Sequence, residues 1–231
     1  MKKVTFSFSK LFLNTVLAVL AGGTLLRSES EHVIKLPEPR YESDVVLEQA
    51  LLMRRSIRTF GDAPLTVQEV SQLLWSAQGI TSEMGYRTAP SGGALYPLEV
   101  YVVAGNVNGL DDGIYQYRPH EHSLVIISKG DRRSELSDAA LNQSCIKEGS
   151  IIIVFSALYD RITQKYGERG IRYAHIEVGH AAQNVYLQAV SLKLGTVAVG
   201  AFIDDEVKRV ITMEKNQQPL LLMPVGRIKN R

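Results

Sequence analysis

The sequence predicts a single α+β domain in which one mixed sheet is covered by helices. Two apolar runs, Leu98–Ala104 and residues 151–155, have the length of buried strands. Residues 113–117 and 123–128 are two further candidate strands separated by five residues, which is typical of a β-hairpin. The longest helical pattern covers residues 173–194. Because helices and strands alternate imperfectly around a central hairpin, we expect a mixed sheet rather than a regular parallel one.

The first part of the domain is predicted to contain two helices. Residues 43–53 carry apolar side chains at helical spacing, and Ser43 is the candidate N-cap. Thr66 and Glu69 have the spacing of a capping box, so we expect the second helix to begin there. A polar loop over residues 86–97 then leads into the first apolar strand.

The second part alternates helices and strands around the hairpin. A polar segment over residues 160–169 precedes the longest helix. The other predicted elements are a helix over 132–141, a strand over 150–157, a strand over 196–202, a helix over 204–211, a strand over 219–225 and a basic tail over 226–231.

The histidines and the single cysteine do not predict a metal site. His120 and His122 lie between the hairpin strands with no further ligand placed nearby, so we assign them to the hairpin tip. His175 and His180 are five residues apart and do not share one helix face, which favours core or interface positions. Cys145 has no adjacent base and is predicted to be a buried, unreactive thiol.

Composition excludes several classes of protein. The chain has 231 residues, of which 45% are hydrophobic and 22% charged, as in an ordinary globular domain. The net charge of +2 gives no field for nucleic-acid binding, and a single cysteine excludes intrachain disulfides. The glycine-rich dinucleotide and phosphate-binding motifs, the zinc-protease motif and the nucleophile elbow are all absent from the sequence. A Rossmann domain and a serine hydrolase are therefore disfavoured.

Residues 1–30 differ from the rest of the chain. Three lysines precede an apolar stretch over residues 11–26, which is short for a membrane span and fits a secretory signal peptide. A short uncleaved membrane anchor is the alternative. We therefore place the folded domain at residues 31–231. We expect the protein to be exported or membrane-anchored, or cytoplasmic if this segment is not a working signal.

One basic segment is a candidate binding site. Arg54, Arg55 and Arg58 surround Ser56 at the point where the first helical pattern stops. Arginine presents a planar fork of donors that matches phosphate oxygens, and it stays charged at any working pH. The alternative is a solvated basic helix end, where cations interact favourably with the negative pole of the helix.

A second candidate binding segment lies in the polar loop. Ser91 is followed by Gly92 and Gly93, and glycine allows a backbone to approach a flat or negatively charged ligand closely. A simple turn would explain the two glycines, but not the whole polar loop between two ordered elements.

Six short motifs, taken in chain order, resemble the nitroreductase family of flavin enzymes. Within that family the chain is similar to the SagB-type dehydrogenases, which include the azoline oxidases of thiazole and oxazole peptide biosynthesis. The similarity covers residues 36–227, and the six motifs in this order are specific although each alone is weak. They are RRSxRxF at 54–60, LLWSAQG at 73–79, APSGGALYP at 89–97, KYGER at 165–169, ExGHxxQN at 177–184 and VGAF at 199–202.

The resemblance implies an FMN enzyme with a central, mostly antiparallel sheet flanked by helices. It also implies an intertwined homodimer with a flavin at each end of the subunit interface. The implied contacts to the FMN phosphate and ribityl chain come from Arg54, Arg55, Ser56, Arg58 and Arg227. The implied contacts to the flavin ring come from Pro90, Ser91, Gly92, Ala94 and Leu95, usually of the partner subunit, and from backbone amides at Gly200 and Ala201.

Two departures from the family pattern concern this implied site. Ala94 stands where many nitroreductases have an Asn that contacts the flavin, which favours the SagB-type branch. The chain ends four residues after Arg227, without the longer basic tail common in the family. Lys229 or Arg231 is the candidate substitute for that tail.

The resemblance also gives candidate catalytic residues. Lys165 and Tyr166 match the Lys-Tyr pair that is thought to assist deprotonation of the heterocycle as hydride leaves in azoline oxidases. The alternative is that Lys165 is an ordinary solvated loop residue.

Three functions follow as hypotheses. The first is an FMN-dependent dehydrogenase that passes a hydride between a small-molecule or peptide-borne heterocycle and flavin N5. The second keeps the flavin but uses NAD(P)H as electron donor to reduce nitroaromatics or quinones. The third is an exported flavin-binding or partner-docking protein without turnover.

Overall fold

The fold is built on one large antiparallel sheet. The computed structural model describes residues 32–229, and its strands are β1 (Val33–Lys35), β2 (Phe60–Gly61), β3 (Leu65–Thr66), β4 (Leu98–Ala104), β5 (Val107–Asn108), β6 (Gly113–Arg118), β7 (Ser123–Lys129), β8 (Ile151–Leu158), β9 (Leu194–Thr196) and β10 (Gln217–Ile228). The sheet has the order β1-β7-β6-β4-β8-β10-β2, β9 also pairs with β10, and every one of these pairings is antiparallel. β3 and β5 form a separate short parallel pair.

Helices cover both faces of this sheet, which confirms the predicted α+β class. The expectation of a mixed sheet is wrong, because every strand pairing within the large sheet is antiparallel. They are α1 (Leu47–Met53), α2 (Val67–Gln78), α3 (Arg133–Ala139), α4 (Ser144–Glu148), α5 (Asp160–Tyr166), α6 (Arg169–Ser191) and α7 (Asp204–Ile211). Leu74 of α2 and Val185 of α6 belong to the core on one face. Ile146 of α4 and Val207 of α7 belong to the core on the other face.

The central strand β8 lies between these two cores. Ile151, Ile153 and Phe155 join the core that contains α2 and α6, whereas Ile152 and Val154 join the core that contains α4 and α7. All five side chains are buried, and each such burial stabilises the fold by roughly 1.5–3 kcal/mol. A strand covered on both faces needs an unbroken apolar run, which explains the pattern in the sequence.

The prediction that Ser43 caps the first helix is wrong. α1 begins at Leu47 after Val46, and no side chain caps it. The Ser43 hydroxyl instead accepts a hydrogen bond from the Val45 amide at 3.0 Å and lies 2.6 Å from the Ser191 hydroxyl. These bonds hold the chain in a non-helical conformation, so the helix starts later than the sequence suggests.

Two other helix boundaries were predicted with different accuracy. The capping box of Thr66 and Glu69 is present at the start of α2, as predicted. The polar segment before the longest helix is itself helical, because it contains α5, and α6 begins at Arg169 rather than at residue 173. Gly167, with φ +56°, separates the two helices.

The predicted strand over residues 196–202 is mostly absent. β9 ends at Thr196, and after it only Val199 returns to the sheet, through an isolated bridge to Leu222. The Ala198 amide donates to the hydroxyl of Tyr186 rather than to a neighbouring strand. A side chain from α6 therefore takes the hydrogen bond that a strand would have supplied.

The described part of the chain contains no candidate membrane span. No helix between residues 32 and 229 is long and apolar enough to cross a bilayer. The signal peptide or anchor predicted at residues 1–30 and the candidate phosphate ligand Arg231 lie outside the described residues.

Candidate active site

The basic segment after α1 is held in an extended conformation beside β9. Arg54 follows the last helical residue with φ −55° and ψ 122°. The Ile57 amide donates to the Thr196 carbonyl at 2.9 Å, and Ser56 pairs with Thr196 in an isolated parallel bridge. Arg54, Ser56 and Arg58 are therefore presented from a backbone that is fixed by the sheet.

Tyr186 of α6 joins this segment to the chain after β9. Its hydroxyl accepts from the Ala198 amide at 2.8 Å and lies 3.1 Å from the Ser56 hydroxyl. The Arg54 guanidinium lies 5.2 Å from the centroid of its ring, a cation–π distance. Tyr186 was not predicted from the sequence, where its only signal is an aromatic side chain with a polar end, two residues beyond the QN motif. Through it, the predicted phosphate-binding residues come close to the segment that carries Gly200.

The guanidinium groups of the basic segment have no carboxylate partner in the part of the chain that the structure describes. Within residues 32–229, Arg54, Arg55 and Arg58 form no ion pair with an Asp or Glu side chain. Arg55 donates to main-chain carbonyls of its own helix end, including that of Leu52. Burial raises the pKa of the Cys145 thiol, and the charge of the nearby Arg58 lowers it in part. Cations that are left free of described carboxylates are suited to bind an anion such as a phosphate.

The backbone at Gly200 and Ala201 has one side that no other described side chain covers. Gly200 and Ala201 are exposed, and no described atom lies within 4 Å of the place that a Cβ at Gly200 would take. Gln143 Nε2 donates to the Ala201 carbonyl at 2.9 Å, which holds this backbone in place. A fixed backbone without a side chain in front of it suits close approach of a flat ring.

The glycine-rich loop closes on itself around a short 3₁₀ helix, Gly92–Ala94. The Ser91 hydroxyl accepts from the Tyr96 amide at 2.9 Å. Gly93 has φ +63° and Ala94 has φ +55°, both in the left-handed region. That conformation costs a residue with a Cβ roughly 1–2 kcal/mol, and Asn adopts it more readily than Ala. The absence of Asn at position 94 thus leaves local backbone strain in the loop.

The candidate catalytic pair lies directly against this loop. A Cβ built on Gly93 would lie 2.6 Å from Tyr166 Oη and 3.1 Å from Lys165 Nζ. Pro90 and Ala94 are exposed and Leu95 is half-buried, so the loop presents an open surface beside the pair. The structure therefore brings Lys165 and Tyr166 to the loop for which the family resemblance implies contact with the flavin ring.

The predicted site residues form two groups along α6. Tyr173 lies against Gly92 of the loop, whereas Tyr186 holds the basic segment and the chain after β9. Thirteen helical residues correspond to about 20 Å at a rise of 1.5 Å per residue. Among the described residues, no hydrogen bond connects one group to the other.

Arg227 has partners within the fold. Its guanidinium donates to both carboxylate oxygens of Glu69, at 2.7 and 2.8 Å, and to the Pro64 carbonyl. Glu69 is also the capping-box residue of α2, so this pair joins the end of β10 to the start of α2. An FMN phosphate would have to compete with that carboxylate, and the predicted phosphate contact of Arg227 stays a prediction. Lys229, the other described candidate, is exposed.

His122 forms hydrogen bonds within the fold, whereas the other histidines are exposed. No group of three or more His, Cys, Asp and Glu residues between 32 and 229 is arranged to hold a metal ion. His122 follows the hairpin turn as predicted, and its ring nitrogens lie 2.8 Å from the Tyr117 hydroxyl and 2.7 Å from the Ser71 hydroxyl. Burial lowers the pKa of His122. His175 and His180 are exposed on α6, which excludes the core position and leaves the interface position as a prediction.

The donors of the two groups fit the chemistry of FMN. Three guanidinium groups and one hydroxyl offer hydrogen bonds and charge to a phosphate. Glycine backbone at Gly200 and in the 92–93 loop leaves room for a flat ring system.

The family model described as "Nitroreductase family" matches residues 51–227 of the chain. A Methanocaldococcus jannaschii protein named "Putative nitroreductase MJ1384" is 48% identical over 194 residues, which cover 84% of this chain and 96% of that protein. The crystal structure of "a putative nitroreductase" from Ralstonia eutropha has a TM-score of 0.76 at 28% identity, covering 94% of this chain and 97% of that chain.

Two more distant relatives have names that state a biochemical role. The microcin B17-processing protein McbC of Escherichia coli is 24% identical over 173 residues, covering 72% of this chain and 64% of that protein. The FMN reductase (NADPH) of Bacillus subtilis is 26% identical over 196 residues, covering 79% of this chain and 66% of that protein. With a family match over most of its length and a relative at 48% identity, the chain belongs to the nitroreductase family of oxidoreductases.

Proposed function

We propose that the protein is an FMN-dependent oxidoreductase of the SagB type, which passes a hydride between a small organic substrate and flavin N5. The substrate class is a small-molecule or peptide-borne heterocycle. The observation that carries the cofactor assignment is the set of guanidinium groups at Arg54, Arg55 and Arg58 that no described carboxylate neutralises. Similarity to a microcin-processing protein and to an FMN reductase supports the flavin and a peptide-borne substrate.

FMN, when bound, supplies an acceptor or donor of hydride at N5. The protein's own residues hold and orient it. Arg54, Arg58 and Ser56 neutralise and hydrogen-bond the phosphate from a backbone fixed against β9. The bare backbone at Gly200 would allow the ring to approach without a side chain in between.

Lys165 and Tyr166 support the SagB-type assignment because both polar atoms converge on Gly93. In this proposal the pair holds or accepts the proton that leaves the substrate as hydride departs. The side chains are close to each other, with Lys165 Nζ 5.4 Å from the centroid of the Tyr166 ring. Tyr166 packs edge-on against Tyr173 of α6 at 5.2 Å, which orients its hydroxyl towards the loop.

A homodimer is part of the proposal, because one copy separates the two groups of site residues along α6. A partner chain that brings its glycine-rich loop to the basic segment would complete one site at each end of the interface. Apolar side chains exposed on α1 supply a surface for such a partner: Leu47 (59%), Leu51 (52%), Leu52 (73%) and Met53 (61%). Exposed apolar patches of this kind mark interaction surfaces.

The second candidate function is a nitro or quinone reductase that uses NAD(P)H as electron donor. The specific observation in its favour is the similarity to the FMN reductase (NADPH) of Bacillus subtilis. It uses the same phosphate site and differs in the source of the hydride.

Steady-state assays of the FMN-loaded protein distinguish the two candidates. Oxidation of a synthetic peptide thiazoline to the thiazole, in an aerated assay where dissolved dioxygen reoxidises the reduced flavin, and with little NAD(P)H consumption, would support the SagB-type reaction. Rapid NAD(P)H oxidation with a quinone, without thiazoline turnover, would support the reductase. Bound flavin that is reduced by dithionite but by no organic donor would support the third hypothesis, a flavin-binding protein without turnover.

Export or membrane anchoring is a separate proposal that rests on residues 1–30. Cell fractionation of the full chain with a C-terminal tag, followed by N-terminal sequencing, tests it. A cytoplasmic protein that keeps its first residues would contradict it.

A further inference from the structure

Glu177 is a buried carboxyl beneath the glycine-rich loop. It lies near the middle of α6 and is only 1% exposed. Together with Pro90, Gly92 and Tyr173, it lines a small cavity of about 160 Å³. The carboxyl therefore lies behind the loop that the proposed function assigns to the flavin ring.

Neither oxygen of this carboxyl has a hydrogen-bond partner among the described residues. The Ser91 hydroxyl is near enough to lower its pKa, but it does not complete a hydrogen bond with either oxygen. An ionised carboxylate in such surroundings is strongly disfavoured, because it loses its hydration without gaining donors. Burial accordingly raises the pKa of Glu177 to about 7, against the lowering effects of Ser91 and Arg87.

Arg87 is the charged group that acts on Glu177. Burial lowers the pKa of its guanidinium, one nitrogen donates to Gln78 Oε1 at 2.9 Å, and Nε has no partner among the described atoms. Its amide donates to the Tyr96 hydroxyl, and its side chain stacks on the Tyr96 ring at 4.4 Å. Since Tyr96 follows the loop directly, these contacts connect Arg87 to the C-terminal end of the loop.

The other titratable groups around α6 do not neutralise Glu177. Arg87 is the only charged group that acts on the pKa of Glu177 among the described residues. The remaining groups on the same cavity are Tyr173 and His180 of α6. The titratable groups on the elements packed against α6 are Asp160, Arg161, Lys165 and Tyr166 on α5, Glu99 and Tyr101 on β4, Glu69 on α2, Glu48 on α1 and Arg227 on β10. Of these, Arg161 pairs with Glu99, and Arg227 pairs with Glu69.

We propose that Glu177 is a positioning residue for the glycine-rich loop, whose neutral form keeps Ser91 and Gly92 in the observed geometry and whose ionised form draws Arg87 and Ser91 towards itself. The flavin-related consequence rests on the proposed function, whereas the movement of the loop does not. When Glu177 loses its proton, the negative charge acts on the incompletely paired Arg87 guanidinium and on the Ser91 hydroxyl. Ser91 belongs to the loop, and Arg87 contacts Tyr96 directly after it. Loop geometry then depends on pH in the neutral range.

Hydrogen exchange of the loop tests this proposal without flavin. Amide protection over residues 91–96 is measured from pH 5.5 to 8.5, corrected for intrinsic exchange, in the wild type, Glu177→Gln and Glu168→Gln. Gln is neutral at every pH, and Glu168 is an exposed carboxyl at the start of the same helix. We expect protection to change with a midpoint near pH 7 in the wild type and in Glu168→Gln, where the pKa of Glu177 is about 7. In Glu177→Gln it stays at the low-pH level of the wild type.

Wild-type protection that is independent of pH, or the same midpoint in Glu177→Gln, would overturn the proposal. The visible absorption of bound FMN, followed over the same pH range, gives the second readout. A pH-dependent spectrum that becomes constant in Glu177→Gln supports the link to the flavin. A colourless protein whose loop still responds to pH contradicts the proposed function while leaving the positioning role supported.

Discussion

Arg54 and Arg58 are the residues on which cofactor binding depends most directly. In this account their guanidinium groups supply charge-assisted hydrogen bonds to a phosphate. We expect Arg54→Ala combined with Arg58→Ala to weaken FMN binding by about 100-fold or more, since two such bonds are lost. The secondary structure should be unchanged, because neither side chain belongs to the core. Fluorescence titration with FMN and circular dichroism measure the two effects.

The matched control for this double variant is Arg132→Ala combined with Arg209→Ala. Both arginines are exposed and pair with carboxylates on their own helices. FMN affinity should stay at the wild-type value in the control. Equal loss of affinity in both double variants would show that net charge, not the basic segment, governs binding.

Glu177 makes the free energy of unfolding depend on pH. Its carboxyl has a pKa of about 7 in the folded protein and an ordinary value near 4.5 when unfolded. Between these two pKa values the folded state binds more protons than the unfolded state, so the free energy of unfolding falls as pH rises. The full destabilisation by ionised Glu177 is present above pH 7. The shift corresponds to at most about 3 kcal/mol. We expect Glu177→Gln to be more stable than the wild type at pH 8 by about 1–3 kcal/mol.

Urea unfolding at pH 4.5 and pH 8 measures this effect. At pH 4.5 the carboxyl is protonated in the folded state, so the variant and the wild type should differ little. A stability difference that is the same at both pH values would mean that Glu177 does not titrate in this range.

Individual site residues could be predicted only where a local sequence pattern indicated them. Arg54, Arg58 and Ser56 stand together in the sequence, and the structure presents them from one extended segment that is fixed against β9. Tyr186 and Glu177 were missed as site residues, because their importance comes from contacts with Ala198 and the glycine-rich loop, which are distant along the chain. Such contacts exist only once the fold has formed.

At the scale of elements, α5 places the candidate catalytic pair beside the glycine-rich loop. We expect Lys165→Ala to retain FMN and to lose at least about tenfold in turnover with its organic substrate, a modest value for loss of an acid–base group. Gln164→Ala, an exposed neighbour on the same helix, is the control. Flavin content and steady-state rates are measured for both variants. Unchanged turnover in Lys165→Ala would remove that residue from the mechanism.

Buried elements were easier to predict than the elements at the site. The apolar run of β8 and the capping box of α2 determine their conformations locally, and both are present as predicted. The chain after β9 has strand-like residues but leaves the sheet, because Tyr186 takes the amide of Ala198. α5 was not recognised, because most of its side chains face solvent and only Ile162 is buried.

At the scale of the whole molecule, the proposed dimer is the arrangement that would bring together the two groups of site residues, which lie near Tyr173 and Tyr186 of α6. We expect Leu51→Glu combined with Leu52→Glu to convert the proposed dimer into a monomer, since charges are costly in an apolar interface. Both leucines are exposed in one chain, at 52% and 73%, so folding should be preserved. Sedimentation velocity measures the oligomeric state, and absorption measures flavin loss.

Val33→Glu is the control for the dimer prediction. Val33 is 54% exposed on β1, an edge strand of the sheet. The Val33→Glu variant should leave both the dimer and the flavin content unchanged. A wild-type protein that is monomeric at micromolar concentration and still binds FMN would contradict the shared site.

The most direct test of the account compares the affinity of the purified protein for FMN with its affinity for riboflavin, which has the same ring but no phosphate. We expect FMN to bind at least about 100-fold more tightly, because charge-assisted hydrogen bonds to the phosphate are lost with riboflavin. The preference should disappear in the Arg54→Ala, Arg58→Ala double variant. Equal affinity of the wild-type protein for the two flavins, or no binding of either, would contradict the assignment of the basic segment as the phosphate site of a flavin enzyme.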